Sequence, residues 1–159
     1  MDMVTMNILD STMVSICREM GISLMKTSYS TIFNEGLDFT CALADTNGDM
    51  IAVAEFCPAQ IGGMPLLIKT CAEEFPIEEL DEGDVLIHND PYRGGLHVPE
   101  HTLFKPFFHN GKALGYLVCI GHIAEVGGMV PGGFAGEATE IFHEGFRVPP
   151  VKIKKAGKD

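Results

Sequence analysis

Residues 89–101 of the chain read Asn-Asp-Pro-Tyr-Arg-Gly-Gly-Leu-His-Val-Pro-Glu-His. The apolar run 85–87 precedes this stretch, and another apolar run begins at Leu103. Pro91 and Pro99 disfavour a helix here, because proline lacks the N–H that a helix interior needs. The pattern therefore predicts a core strand, a tight loop that carries polar groups, and a second strand that leaves the loop.

Two Asn-Gly pairs predict β-hairpins, because this pair readily adopts the positive φ angles of a two-residue turn. In the first hairpin, the turn Asn47-Gly48 lies between the apolar runs 41–44 and 50–54. In the second, the turn Asn110-Gly111 lies between the apolar runs 103–108 and 114–120. Two hairpins favour a mainly antiparallel or mixed sheet.

The helical signal is clearest at residues 9–30. Apolar residues recur there at steps of three and four, which predicts one face packed on the core; they are Met13, Ile16, Cys17, Met20 and Leu24. Asp10 or Ser11 is the expected N-cap. Residues 58–65 are expected to form a loop, followed by a helix over 65–74.

The remaining segments have weaker signals. The acidic stretch 73–84 is expected to be a solvated connector. Residues 127–136 are rich in glycine and predict a long loop. A short strand is expected at 139–142, followed by a basic tail at 152–158. The whole chain, residues 1–159, is expected to be a single α+β domain in which an N-terminal helix packs on the sheet.

Composition excludes several classes of function. The net charge of −11 and the isoelectric point near 4.8 argue against binding to a nucleic-acid backbone or an anionic membrane. The chain has no apolar run of membrane-spanning length, no Walker-type loop and no Gly-x-Gly-x-x-Gly. Its five cysteines form no Cys-x-x-Cys pair, so buried free thiols in a cytoplasmic protein are expected.

The strongest candidate site combines His97, Glu100 and His122. The second hairpin brings the chain back, so that His122 returns to the end where Glu100 lies. Two imidazoles and a carboxylate suit a divalent ion such as Fe, Mn or Zn. The alternative is a structural role, which is the default for the histidines at 88, 101 and 109.

Further carboxylates lie near this set. Asp38 precedes a predicted strand and offers a carboxylate at the end of that strand. Asp90 stands before a proline, where it serves either the site or only a turn. Glu125 lies three residues after His122, and the pair His143-Glu144 is a weaker candidate.

Four segments, in order along nearly the whole chain, carry a resemblance to a known family. They read Glu-Gly-Leu-Asp-Phe-Thr-Cys-Ala-Leu from residue 35, Asn-Asp-Pro-Tyr-x-Gly-Gly-x-His-x-Pro-Glu from residue 89, His-x-x-Glu-x-Gly-Gly from residue 122 and Thr-Glu-Ile-x-x-Glu-Gly-x-x-x-Pro-Pro from residue 139. Together they resemble the N-terminal part of the hydantoinase B/oxoprolinase family. That family includes subunits of ATP-dependent hydantoinases, 5-oxoprolinases and the metal-bearing subunits of acetone carboxylases.

The resemblance implies one divalent metal (Mn, Zn or Fe), with His97, Glu100 and His122 as ligands and Asp38 as a further one. Glu125 is then a candidate general base, and Asp90 a residue that orients a ligand. Glutamate stands at positions 100 and 125 where the family usually has aspartate, so the geometry of the ligands must shift by about one methylene.

The resemblance also implies partners, because family members are several times longer than this chain. A hydantoinase A-like ATPase subunit is expected to bind ATP and to phosphorylate a small-molecule carbonyl substrate, and another chain to supply the missing C-terminal part. The reaction is either hydrolysis of a cyclic amide or carboxylation of a ketone. The alternative function is that of a non-catalytic structural or assembly subunit.

Overall fold

The structure of the chain is a computed structural model that describes residues 2–159. Its helices are α1 (Met3–Thr27), α2 (Thr31–Asn34) and α3 (Pro58–Glu74). Its strands are β1 (Phe39–Ala44), β2 (Met50–Val53), β3 (Val85–His88), β4 (Glu100–His109), β5 (Lys112–His122) and β6 (Val151–Lys154). Short 3₁₀ turns lie at Ile77–Glu79, Pro91–Arg93 and Ile141–His143.

The six strands form one sheet in the order β2-β1-β5-β4-β3-β6, and every neighbouring pair is antiparallel. The predicted α+β class, with an N-terminal helix on a mainly antiparallel sheet, is confirmed. Between residues 123 and 140 the chain has neither helix nor strand, which agrees with the predicted glycine-rich loop.

Both predicted hairpins form, but only the second has positive φ at both residues of its Asn-Gly pair, and the first turn spans residues 45–49 instead of two residues. Gly48 has φ 78° in the first turn, whereas Asn110 and Gly111 have φ 51° and 74° in the second. The second hairpin runs from Glu100 opposite His122 to the turn, so these two residues lie at its open end. That register positions the candidate site.

Helices cover both faces of the sheet. On one face Met64, Leu67 and Ile68 of α3 are fully buried against residues such as Tyr116. On the other face α1 packs through Cys17, while residues 41 and 43 of β1 point the opposite way from residues 42 and 44. The sheet therefore separates two apolar layers.

The predicted start of the first helix was wrong. The helix begins at Met3 and is capped by Asp2, whose carboxylate accepts the N–H of Thr5, instead of by Asp10 or Ser11. Cys17 is buried as expected, but Ile16 of the same stripe is 41% exposed. The contact of α1 with the sheet is therefore narrower than the apolar stripe.

The predicted loop at 58–65 was also wrong, because α3 already begins at Pro58. Proline is accepted in the first helical turn, where its missing N–H has no partner to lose. Pro65 lies inside the helix and removes one helical hydrogen bond. Burial of Met64, Leu67 and Ile68 on the sheet offsets that loss.

Two expectations for the C-terminal part were wrong as well. Residues 139–142 form no strand, and a 3₁₀ turn lies at Ile141–His143. Part of the predicted basic tail is strand β6, which pairs with β3. The ammonium nitrogen of Lys152 lies 2.6 Å from the fully buried carboxylate of Asp84, at the end of the acidic connector, and this ion pair fixes the edge of the sheet.

Two further points concern thiols and membranes. All five cysteines are free, in agreement with the prediction of free thiols, although Cys57 and Cys119 are only partly buried.

Among the helices of residues 2–159, none combines the length and the apolar character that a bilayer crossing requires.

Two helical glycines give a matched test of packing. A Cβ atom on Gly21 would lie 2.9 Å from the ring of Phe39 and even closer to the ring of Phe56, whereas Gly62 has open space around it. We expect Gly21→Ala to lower the free energy of unfolding by about 1–3 kcal/mol through overpacking. Gly62→Ala should raise it by about 0.5–1 kcal/mol. Urea unfolding of both variants measures this difference, and equal effects would contradict the described packing of α1.

Candidate metal centre

The loop between β3 and β4 is held by one buried side chain. The amide nitrogen of Asn89 donates to the carbonyl oxygens of Val98 at 2.7 Å and Phe146 at 2.8 Å, and its amide oxygen accepts the N–H of Val148 at 2.6 Å. Asn89 thus joins the candidate loop to the C-terminal segment. Sequence reasoning missed this role, although an amide directly after a core strand was the available signal.

The four candidate ligands come together at one end of the sheet. The Nε2 atom of His97 lies 3.5 Å from Oε1 of Glu100, and Nδ1 of His122 lies 3.7 Å from Oδ2 of Asp38. The ring centroids of His97 and His122 are 5.1 Å apart. The backbone fixes this approach, because the N–H of His122 donates to the carbonyl oxygen of Asp38 at 3.0 Å.

Gln60 of α3 completes the cluster. Its buried amide nitrogen donates to Oδ1 of Asp38 at 3.0 Å and to Oε1 of Glu100 at 2.9 Å, so it holds both carboxylates. Because residues 58–65 were predicted to form a loop, the role of Gln60 at the site was not predicted. An α-helix that starts at Pro58 is what carries this side chain to the site.

The glycine-rich loop covers part of the cluster. The ring of Phe134 stacks on His122 with a centroid distance of 5.2 Å and an interplanar angle of 10°. Beside it is a recess of about 310 Å³, lined by His97, Gly133, Phe134, Ala135, Gly136 and Glu144. His97 lies in this recess, so a small molecule placed there would contact the cluster.

The buried side-chain atoms that lack a hydrogen-bond partner within residues 2–159 belong to five side chains. These atoms are Oε1 of Gln60, Oε2 of Glu100, Oγ1 of Thr102 and both ring nitrogens of His88 and His122. His88 is paired with Thr102, which lies two residues along β4 from Glu100. An unpaired buried polar atom costs about 1–3 kcal/mol. These atoms are concentrated at one end of the sheet.

The donor set fits a divalent ion in its chemistry. Two ligands of a tetrahedral ion bound at about 2.1 Å lie roughly 3.4 Å apart, and the 3.5 and 3.7 Å separations are close to that value. Within residues 2–159, however, no group of three or more His, Cys, Asp or Glu side chains is arranged so that it could hold a metal ion. The donors thus lie in two close pairs that the Gln60 amide bridges.

The two imidazoles differ electrostatically. A hydrogen bond with Glu100 raises the pKa of His97, and the carboxylates of Asp38 and Glu144 add to this effect. Burial lowers the pKa of His122, and the neighbouring His97 lowers it further. A metal ligand must be neutral imidazole. His122 therefore meets this requirement over a wider pH range than His97.

Asp90 and Glu125, the two predicted catalytic residues, are engaged within loops. The carboxylate of Asp90 accepts the N–H of Tyr92 at 3.0 Å and lies 3.5 Å from the guanidinium of Arg93, which matches the turn alternative. The exposed carboxylate of Glu125 accepts the N–H groups of Gly127 and Gly132, and these bonds lower its pKa. Their catalytic roles stay predictions.

The other histidines lie outside the four-residue cluster. His101 is half-buried with Nδ1 3.4 Å from the carbonyl oxygen of Pro99, and His109 is exposed at the hairpin turn. Nδ1 of His143 accepts the N–H of Thr139 at 3.2 Å, while Nε2 lies 3.2 Å from Glu140. These contacts are those of structural or surface residues.

The fold and the cluster define a class of protein. The hydantoinase B/oxoprolinase family model matches residues 2–159, and the chain belongs to this family.

Among its relatives, the beta subunit of caprolactamase from Pseudomonas jessenii is 37% identical over 157 residues, covering 99% of this chain and 27% of the relative. An uncharacterised protein of Methanocaldococcus jannaschii is 39% identical, and the match covers 99% of this chain and 28% of that protein. 5-Oxoprolinase 1 of Arabidopsis thaliana is 36% identical, and the match covers 98% of this chain and 12% of that protein. The chain thus spans about a quarter or less of the length of these proteins.

Two solved structures have the same fold. The crystal structure of the ATP-dependent caprolactamase from Pseudomonas jessenii matches with a TM-score of 0.89 and 37% identity, covering 99% of this chain and 27% of that chain. A nucleotide-free structure of acetone carboxylase matches with a TM-score of 0.83 and 21% identity, and the match covers 96% of this chain and 20% of that chain. The second likeness concerns the fold alone.

The buried His88 gives a prediction for the pH dependence of stability. Burial lowers its pKa from 6.5 to about 4. Between these values the unfolded chain binds a proton that the folded chain does not, so the free energy of unfolding is highest above pH 6.5 and falls as the pH drops toward about 4. The full shift corresponds to about 3 kcal/mol.

Urea unfolding at about pH 7 and about pH 5 measures this loss. We expect His88→Phe to weaken the dependence, whereas His109→Phe, at the exposed turn, should keep that of the unchanged protein. A pH dependence that is identical in both variants would refute the assignment to His88.

Proposed function

We propose that this chain is the metal-binding part of a subunit that belongs to an ATP-dependent, multi-subunit enzyme acting on a carbonyl substrate. The observation that carries the proposal is the convergence of His97, Glu100, His122 and Asp38 at one end of the sheet. The unpaired buried atoms of Glu100 and His122 support it, because they have lone pairs to give to an ion. Membership of the hydantoinase B/oxoprolinase family supports it independently.

In this proposal the four side chains hold one divalent ion (Mn, Zn or Fe). When bound, such an ion supplies a Lewis acid for a carbonyl oxygen or a hydroxide at neutral pH. Gln60 fixes the orientation of both carboxylates through its two hydrogen bonds, as a residue in the outer layer of a metal site does. Phe134 limits the access of water to His122 by stacking on its ring.

The substrate is proposed to enter the recess beside His97. This recess combines an imidazole and the Glu144 carboxylate with the aromatic ring of Phe134 and the backbone of Gly133 and Gly136. Glycine leaves room for a ligand to approach the backbone closely. A small carbonyl compound of mixed polar and apolar character fits such walls.

ATP and further protein are proposed to come from partners. The chain itself has no Walker-type loop, and we assign the nucleotide to a hydantoinase A-like ATPase subunit. The matched structures are an ATP-dependent caprolactamase and, for the fold alone, an enzyme of ATP-dependent acetone carboxylation. Because the caprolactamase subunit spans far more residues than this chain, a further segment or chain is proposed to complete the site.

Between the two reactions, hydrolysis of a cyclic amide is favoured. The chain is 37% identical to the caprolactamase beta subunit and 36% identical to a 5-oxoprolinase, but only 21% identical to acetone carboxylase. Carboxylation of a ketone is the second choice. In either reaction, Glu125 is proposed to be the general base and Asp90 the carboxylate that orients a ligand. Both side chains would have to leave their present loop contacts.

A non-catalytic structural or assembly subunit is the alternative function. The observation in its favour is that, in residues 2–159, the donors lie in pairs and no three of them form a completed metal site. A structural subunit would keep the fold and bind no ion.

Metal analysis of the purified protein separates these functions. We expect about one tightly bound divalent ion per chain, with affinity reduced roughly 10- to 100-fold or more in His97→Ala and His122→Ala, because each removes a ligand. Gln60→Met should reduce affinity within the same range by releasing the carboxylates. His109→Ala is the matched control and should bind as the unchanged protein does. Absence of any bound ion both in the purified chain and in the assembled complex would refute the proposed metal binding.

The assembled complex tests catalysis. With its ATPase partner, His97→Ala should still assemble, as size-exclusion chromatography would reveal, but lose ATP-dependent ring opening of cyclic amides by about 100-fold or more. His109→Ala should retain the activity. If the His97→Ala complex opens the ring at the normal rate, the proposed catalytic role is wrong.

A further inference from the structure

Two cysteines face each other across neighbouring strands. Cys41 of β1 is paired directly with Cys119 of β5, and the Sγ atom of Cys41 donates to the Sγ atom of Cys119 at 3.6 Å. This is the only thiol–thiol hydrogen bond within residues 2–159. Directly opposed antiparallel residues have Cα atoms about 4.5–5.5 Å apart, which lies within the span that a disulfide bridges.

A recess gives access to this pair. It has a volume of about 480 Å³ and lies beneath α1, with both cysteines in its wall. The remaining lining residues are Ile16, Glu19, Met20 and Ser23. Cys119 is only partly buried, whereas Cys41 is 1% exposed. A small oxidant therefore reaches Cys119 first.

We propose that Cys41 and Cys119 are a site of reversible oxidation, at which a small-molecule disulfide converts the two thiols into a cross-strand disulfide. The inference stands on the geometry of β1 and β5 and does not depend on the proposed metal centre or reaction.

The chemistry assigns different roles to the two thiols. The hydrogen bond from Cys41 lowers the pKa of Cys119, and the same bond together with burial raises the pKa of Cys41. Cys119 is therefore the sulfur that attacks, because the thiolate is the nucleophile. Cys41 is the resolving thiol behind it.

The exchange is balanced. The Cys119 thiolate attacks one sulfur of the small disulfide, forms a mixed disulfide and releases one thiolate. Cys41 then loses its proton and attacks Sγ of Cys119, which breaks the mixed disulfide and releases the second small thiol. The protein loses two electrons and two protons, and the small disulfide gains them.

The site lies close to the candidate cluster along the same ladder. Asp38 precedes Cys41 by three residues, and His122 follows Cys119 by three. A bond between the two sulfurs would hold β1 and β5 in register beside these residues. Oxidation would thus restrict local opening of the strand pair that carries Asp38 and His122.

The test uses oxidised glutathione as the probe. After treatment under native conditions, alkylation in denaturant should find three free thiols instead of five, and non-reducing peptide mapping should find Cys41 joined to Cys119. Dithiothreitol should restore all five thiols. Retention of all five thiols, or a crosslink between any other pair, would overturn the proposal.

Three variants separate the steps. Cys57→Ser is the matched control: it removes a partly buried thiol outside the pair and should still lose two thiols. Cys119→Ser should lose none, and Cys41→Ser should retain glutathione on Cys119. If either serine variant fails to fold by circular dichroism, the alanine variant replaces it. A stable glutathione adduct on Cys119 of the unchanged protein would refute the role of Cys41 as the resolving thiol.

Discussion

The antiparallel pairing of β4 with β5 is the constraint on which the rest of the structure depends. Its register runs from His109 opposite Lys112 at the turn to Glu100 opposite His122 at the open end. A shift of one residue would turn either Glu100 or His122 to the other face and so separate the two side chains. The same register keeps Phe104 and Tyr116 in the core, where their rings stack at 4.4 Å. Packing at one end of the hairpin thus secures the polar cluster at the other.

The polar cluster is buried, and the chain itself provides only some of the hydrogen-bond partners that its side chains can use. Gln60, Glu100 and His122 are almost completely removed from water, yet each has at least one polar atom without a partner. Evenly distributed unpaired atoms would indicate loose packing, but these are grouped beside Asp38 and His97. Grouped buried polar atoms with free hydrogen-bonding capacity are typical of binding sites, whose ligand supplies the missing partners.

Much of the fold could be predicted, because its determinants are local. Gly48 in the first turn and the pair Asn110-Gly111 in the second specify their turns through positive φ angles that few other residues adopt. Strand β3 was predicted with its observed bounds, since an apolar run ended directly at the loop. The first part of α3 was predicted as a loop because Pro65 normally breaks a helix, and only burial against the sheet outweighs that preference. Strand β6 was missed because its lysines resemble a solvated tail, whereas one of them neutralises the buried Asp84.

The candidate site was predictable in part for the same reason. The hairpin signal alone brought Glu100 near His122, the position of Asp38 before a strand made its carboxylate available, and the family resemblance implied that Asp38 is a ligand. Gln60 and Phe134 have no local signature, because their positions depend on how α3 and the glycine-rich loop fold over the sheet. The Cys41–Cys119 pair required the register of β1 against β5, which no pattern in the sequence specifies.

The amide of Asn89 binds three backbone groups, two of which belong to the segment just before β6. The first residues of the site loop and residues 146–148 are therefore held together by one side chain. We expect them to open as one cooperative unit in hydrogen exchange, so that a local fluctuation of residues 146–148 also releases the loop of His97. The position of the cluster thus depends on the segment before β6 as well as on the residues that line it.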